Sequence, residues 1–238
     1  MKRPCILFLF NSSMYAMEPW LRAGHRCVTV DWNDTDHSAH RNPPKPFAGL
    51  DRLSLDLSTG DALETLQEAL GALGVTPRLV ISFAPCTDLA VSGAAHFAKK
   101  KALDPLFQTK AVSMATLATG LGIPYVIENP VSVLATLWRK PCAYVNPKDF
   151  GGYLPEEDIH PEAPSLFPPR DAYHKKTGLW TGNGFILPAP LPVEEKESAF
   201  PGHRALGGKS ARTKHLRSLT PRGLAMAIFV ANKHLLST

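Results

Sequence analysis

Apolar runs recur along the chain with helical pattern between them, and this alternation narrows the fold more than any other feature. Residues 5–10 are an almost unbroken apolar run that ends in small polar residues. That is the pattern of a parallel strand buried on both faces. Residues 26–30 read as a second strand ending at Asp31 and Trp32, 53–57 as a short third, 79–83 as a fourth and 125–127 as a fifth. Between them, residues 14–23 read as a helix stopped by Gly24. Thr59, Gly60 and Asp61 cap a helix running to Leu73, and 105–121 keep helical spacing up to Gly122. Strands and helices alternating at roughly 25-residue intervals predict an α/β fold, a doubly wound and mostly parallel sheet of Rossmann-like type with helices on both faces.

The alternation fades after about residue 140. Residues 147–170 are rich in Pro, Glu and Asp and read as an inserted loop; 177–180 read as a late strand. Residues 187–214 read as extended and end in a basic stretch, 209–215. Thr220 as N-cap with Pro221 at the first helical position opens a last helix through Leu235. The expected organisation is a catalytic domain over 1–140, a reduced and loop-rich insertion region over 141–216, and a C-terminal helical segment, 217–238, packing back on the first. There is no internal repeat.

A chain of 238 residues, 44% hydrophobic and 20% charged, suits one domain with a full-sized core or one domain with an appendage. A net charge of +5 permits a polyanionic partner without requiring one. Cys5, Cys27, Cys86 and Cys142 form no C-x-x-C pair, and His37 and His40 have no third ligand at a suitable spacing, so no metal is expected. Lys2-Arg3 precedes too short an apolar run for a signal core or a membrane span. The expected setting is a reducing cytoplasm, and the expected state a monomer.

Two strand ends carry the chemistry. After the fourth strand comes Pro85-Cys86-Thr87-Asp88, in a loop running on through Ser92 to Gly93; after the fifth comes Glu128-Asn129-Pro130. Carboxyl ends of parallel strands open on one crevice. A thiolate is a soft nucleophile suited to C6 of a pyrimidine, where its addition makes C5 able to attack a methyl donor. A carboxyl in a dry crevice can stay protonated and assist at N3, and Asn129 can hold a flipped base or the loop itself. Pro85 stiffens the loop entry. At the first strand end, Phe10-Asn11-Ser12-Ser13 is either a cofactor-wrapping loop or an ordinary turn. Asp31 can accept both hydroxyls of a ribose, with Trp32 covering an adenine; Asp56 either touches the adenine or caps the following helix. His174, Lys175 and Lys176 form a basic cluster suited to a base oxygen or to phosphates, and Lys209 and Arg212 to phosphates, against the alternative of solvated turns.

These motifs resemble the C5-cytosine DNA methyltransferases, in particular the short, divergent forms of bacteriophage and prophage genomes. Pro85-Cys86 matches the family's Pro-Cys loop and Glu128-Asn129 its Glu-Asn motif, while Leu7 to Asn11 and Asp31 stand where the family keeps its cofactor strand and ribose acid. The stretches 86–93, 128–130 with 139–141, 176–180 and 218–223 extend the likeness. The resemblance implies a methyltransferase sheet with one antiparallel strand at its edge. It further implies S-adenosylmethionine as donor, a cytosine flipped from duplex DNA as substrate, Cys86 as nucleophile and Glu128 as its N3 partner. On that basis Phe10, Asn11, Ser12, Ser13, Asp31, Trp32, Asp56 and Pro85 are assigned to the cofactor, and Ser92, His174, Lys175, Lys176, Lys209 and Arg212 to DNA. The implied setting is a bacterial or phage-infected bacterial cell. The family's glycine-rich first loop and Gln-x-Arg-x-Arg segment have no clean match, and no large target-recognition domain fits. Short or relaxed sequence selectivity is therefore expected, with DNA contacts from 147–170 and 187–214. The alternatives are the same chemistry on a free cytosine nucleotide or RNA, and a catalytically silent DNA-binding relative.

Overall fold

The computed structural model describes residues 2–11, 13–32, 48–202, 206–207 and 210–236. Ser12, Lys209, His37 and His40 lie outside the described residues. The sheet contains β1 (Arg3–Leu9), β2 (Cys27–Asp31), β3 (Leu50–Ser54), β4 (Val75–Ser82), β5 (Tyr125–Pro130), β6 (Ala143–Val145) and β7 (Thr177–Gly182). Their order is β3-β2-β1-β4-β5-β7-β6. Neighbours from β3 to β5 pair in parallel, and β7 runs antiparallel to both β5 and β6. The antiparallel strand thus stands one place in from the edge, which β6 occupies.

Period-two alternation in β1 explains the two cores. Cys5, Leu7 and Leu9 face one side with Val28, Val30, Val80, Ile127 and Trp180, under α2 (Ala62–Ala72) and α4 (Phe107–Thr116). Ile6 and Phe8 face the other with Leu79, Ile81, Val126 and Leu179, under α1 (Glu18–Arg22) and α7 (Arg222–Asn232). Helices therefore cover both faces of a mostly parallel sheet.

Several boundaries differ from the sequence reading, each for a physical reason. β4 starts at Val75, before Pro77. That proline is tolerated where the β1–β4 register shifts and before β5 begins its pairing at Val80. β3 is displaced to Leu50–Ser54 by its parallel pairing with β2. The expected helix over 14–23 is a 3-10 turn, Met14–Ala16, followed by α1. The one over 105–121 is α4 plus a 3-10 turn, Leu117–Leu121, preceded by another 3-10 turn, Val91–His96, and α3 (Phe97–Leu103). After the single turn α5 (Leu134–Leu137), part of the stretch expected to be extended forms α6 (Ala211–Ser218), capped by the Ser210 hydroxyl. The last helix begins at Arg222, not at Pro221. Its first amides are capped by the buried Asp171 carboxylate, at 2.6 Å from the Arg222 nitrogen and 3.2 Å from that of Gly223, and not by Thr220. The sheet also crosses the expected boundary at 140, since β6 and β7 come from the region beyond it. Among the described residues no helix is long and apolar enough to cross a membrane, and no group of three or more His, Cys, Asp and Glu is placed to hold a metal.

Candidate active site

The order of strands reverses between β1 and β4, and the loops leaving their carboxyl ends define a crevice there. The Pro-Cys loop leaves β4. It is fastened at its start by the Asn129 amide, which donates to the Ala84 carbonyl at 3.1 Å. It turns tightly, with the Leu89 and Ala90 amides both donating to the Cys86 carbonyl at 3.0 and 2.7 Å. It is then joined to the turn after β5: Val91 N donates to Val131 O, Val133 N donates to Leu89 O, and Ala90 bridges Ser132. From its outer side Lys100 of α3 donates to the Thr87 carbonyl and pairs with Asp88 at 2.5 Å. The loops that present Cys86 and Glu128 are thus one backbone-bonded unit.

Cys86 and Glu128 are both half-buried and electrostatically coupled. Burial, and then the facing Glu128 carboxylate, push the Cys86 thiol above its usual range, while the Lys175 ammonium pulls it down. Burial also raises the Glu128 carboxyl, against the pull of Lys175 and of the Thr177 hydroxyl that bonds it. Lys175 is itself lowered by burial, opposed by Glu128, Cys86 and Asp171. Its Nζ is held by the Arg217 carbonyl at 3.0 Å and lies 4.9 Å from the centre of the Phe200 ring. A thiol, a carboxyl and a fixed cation therefore share one half-buried space, a grouping typical of reactive sites.

The other expected residues divide. Asn129 is fully buried with its amide on the loop, so it positions Ala84 and does not face a base. Phe10, just after β1, lies in the left-handed region at φ 55°, and Asn11 behind it is 6% exposed with an amide nitrogen that has no partner among the described residues. Asn11 Oδ1 accepts from the Ser13 amide, and the Ser13 hydroxyl caps the next turn. Asp31 ends β2 half-buried, beside a Trp32 that is 62% exposed. Asp56 is exposed and accepts from the Ser58 amide and hydroxyl, an Asx turn that caps no helix. A cavity of about 380 Å³ lies between that turn and the Pro-Cys loop, with Ser58, Pro85 and Asp88 in its lining. Ser92 is exposed on the 3-10 turn beyond the loop. His174 turns away, its Nε2 2.7 Å from Glu195; Lys176 lies 4.8 Å over the Tyr144 ring; Arg212 is exposed on α6. Of the basic cluster, only Lys175 joins Cys86 and Glu128. Thr177, the first residue of β7, also reaches Glu128 and was missed, since nothing in the local sequence marks it.

No family model matches the chain, and no curated relative matches it.

Proposed function

We propose that the chain transfers a methyl group from S-adenosylmethionine to C5 of cytosine in DNA. The observation that carries this reading is the union of the Cys86 loop and the Glu128 turn into one bonded unit with the thiol and carboxyl electrostatically coupled. In that role the Cys86 thiolate bonds to C6 of the ring, Glu128 shares its proton with N3, and electron density moves to C5. Loss of the C5 proton to water after methylation re-forms the C5–C6 double bond, expels Cys86 as its thiolate and returns the N3 proton to Glu128. Lys175, fixed by Arg217 and Phe200, favours the thiolate. The antiparallel strand is β7, one place in from the edge at which the resemblance puts it, with β6 outside it.

The residues at the ends of β1 to β4 suit the donor. A buried Asn11 amide with no acceptor among the described residues, an exposed Trp32 and the cavity at Pro85 lie along the same strand ends. Asn11 and Ser13 would hold the polar end of the molecule, Asp31 its ribose and Trp32 its adenine. When bound, S-adenosylmethionine supplies an electrophilic methyl group.

The test is digestion of duplex DNA to nucleosides after incubation with protein and S-adenosylmethionine, with mass-spectrometric detection of 5-methylcytosine. Product from the parent and none from Cys86→Ser, with the parent trapped covalently on 5-fluorocytosine DNA, supports the reading. Product only from dCMP or RNA moves the substrate, and no product from any of the three overturns it.

A further inference from the structure

The antiparallel pairing of β5 and β7 sets Thr177 opposite Pro130, and so diagonal to Glu128 on the same face of the sheet. Thr177 is buried, and its hydroxyl oxygen touches two acceptors, Glu128 Oε1 and, at 2.9 Å, the Asn129 carbonyl oxygen. A hydroxyl has one proton to give and lone pairs with which to accept. A backbone carbonyl only accepts, and so does an ionised carboxylate. With Glu128 ionised, two acceptors compete for one proton, and the carboxylate, as the charged acceptor, has the stronger claim on it while the Asn129 residue keeps its ladder pairing with Gly178. With Glu128 neutral the conflict vanishes: its carboxyl O–H donates to Thr177 Oγ1, and Thr177 Oγ1 donates to the Asn129 carbonyl.

We propose that Thr177 is the positioning residue that lets Glu128 exchange between acid and carboxylate, accepting from the acid while bonded to Asn129 and turning its own proton onto the carboxylate once the acid has donated. No covalent bond changes in the hydroxyl's rotation, and the proton that leaves Glu128 goes to the substrate. The inference rests on the methyl-transfer reading only for the identity of that substrate, a ring nitrogen.

The charged and titratable groups facing Glu128 fit this role. Cys86 approaches from the loop after β4, and Lys175 from the segment before β7, with the buried Asp171 acting on Lys175 in turn. Lys175 is already committed to the Arg217 carbonyl and the Phe200 ring, so it supplies a fixed field and leaves the hydrogen bonding of Glu128 to Thr177. Burial of Glu128 favours the acid form. A neutral Glu128 also removes the carboxylate charge that opposes ionisation of Cys86. The acid form thus serves both partners, the thiolate before addition and the ring nitrogen during it.

The test is carboxyl ¹³C NMR of the full chain labelled at glutamate, titrated with pH, the Glu128 signal assigned by its loss in Glu128→Gln. The parent Glu128 should titrate above the ordinary glutamate range. Thr177→Val is close to isosteric and removes a hydroxyl whose charge-assisted bond to the carboxylate outweighs the neutral bond it accepts from the acid, so the Glu128 midpoint should rise by about one unit; Thr177→Ser should restore the parent curve. An unmoved or lowered midpoint in the valine variant, or a parent midpoint in the ordinary range, overturns the proposal, and the second outcome does not depend on the valine variant folding. The assay of methyl transfer is separate. A shifted Glu128 without 5-methylcytosine leaves Thr177 its role and sinks the methylation reading; 5-methylcytosine with an ordinary Glu128 does the reverse.

Discussion

The Asn129 side chain and the Ala84 carbonyl, 45 positions apart in sequence, form a buried hydrogen bond of 3.1 Å that ties the root of the Pro-Cys loop to β5. Asn129 therefore acts on Cys86 through the backbone. Asn129→Ala should leave the Ala84 carbonyl buried and unpaired, lowering stability by about 1–3 kcal/mol in urea unfolding. If methyl transfer is the activity, the loosened loop should lower turnover more than substrate affinity, because a small misplacement of a nucleophile is costly. A variant as stable and as active as the parent would show that the loop is held by other means.

The four cysteines should react in a fixed order. Cys142 is exposed, and its thiol is held below the usual range: burial tends to raise it, but bonds to Thr181 and Arg139 outweigh that. Cys86 is half-buried and raised. Cys5 and Cys27 are fully buried, with burial pushing Cys5 up to about 12 and Cys27 higher still. Peptide mapping after iodoacetamide near neutral pH should find Cys142 modified first, then Cys86, with Cys5 and Cys27 untouched until the chain unfolds. The Cys86 rate should climb with pH through the alkaline range. Lys175→Met should slow it, since the ammonium lowers the thiol's pKa.

Local pattern made part of this architecture readable and left the rest hidden. Residues 5–10 announce a buried strand because both faces of β1 are covered and every position is apolar. Pro85-Cys86 and Glu128 could be read because strand ends concentrate chemistry where ladder pairing stops. The start of β4 was obscured by Pro77, whose missing amide costs nothing where the neighbouring strand has not begun. β6, three residues long, owes its existence to its pairing with β7. Thr177 looks like any strand threonine until antiparallel pairing brings it to Glu128. The cap of α7 comes from Asp171, 51 residues before Arg222, and no local window contains both.

That same cap belongs to a buried charge network whose loss should be expensive. Arg222 makes a bidentate pair with Asp158, at 2.7 and 2.6 Å, and reaches Asp171 at 3.3 Å. Arg170 and Asp171 both sit at positive φ, strain that this network holds in place. Breaking a buried pair by removing one partner costs about 3–5 kcal/mol. Arg222→Met keeps the stem and removes the charge, so it should lower the unfolding free energy by that order. A loss under about 1 kcal/mol would mean that solvent already shares the load.

His160 should make stability fall in mild acid. Its ring is 3% exposed, stacks on Phe167 at 4.4 Å and meets Tyr15 edge-on at 5.5 Å. Nδ1 lies 3.3 and 3.2 Å from the Glu162 and Ala163 amides and accepts from both, so the ring is needed neutral. Burial, then the Arg222 charge, bring its pKa down to about 4. The unfolded chain binds a proton there near pH 6.5 while the folded one does not, so stability is complete above that value and falls as pH drops toward 4. At 1.36 kcal/mol per unit the loss is bounded at about 3 kcal/mol. His160→Gln cannot titrate, so urea unfolding at pH 7 and pH 5 should show a smaller fall for the variant than for the parent. The His215–Glu162 pair, with Glu162 held below its usual range by His215, is present in both proteins and drops out of the difference. Equal falls in the two proteins would mean that the His160 ring is reached by water and already protonates in the folded state.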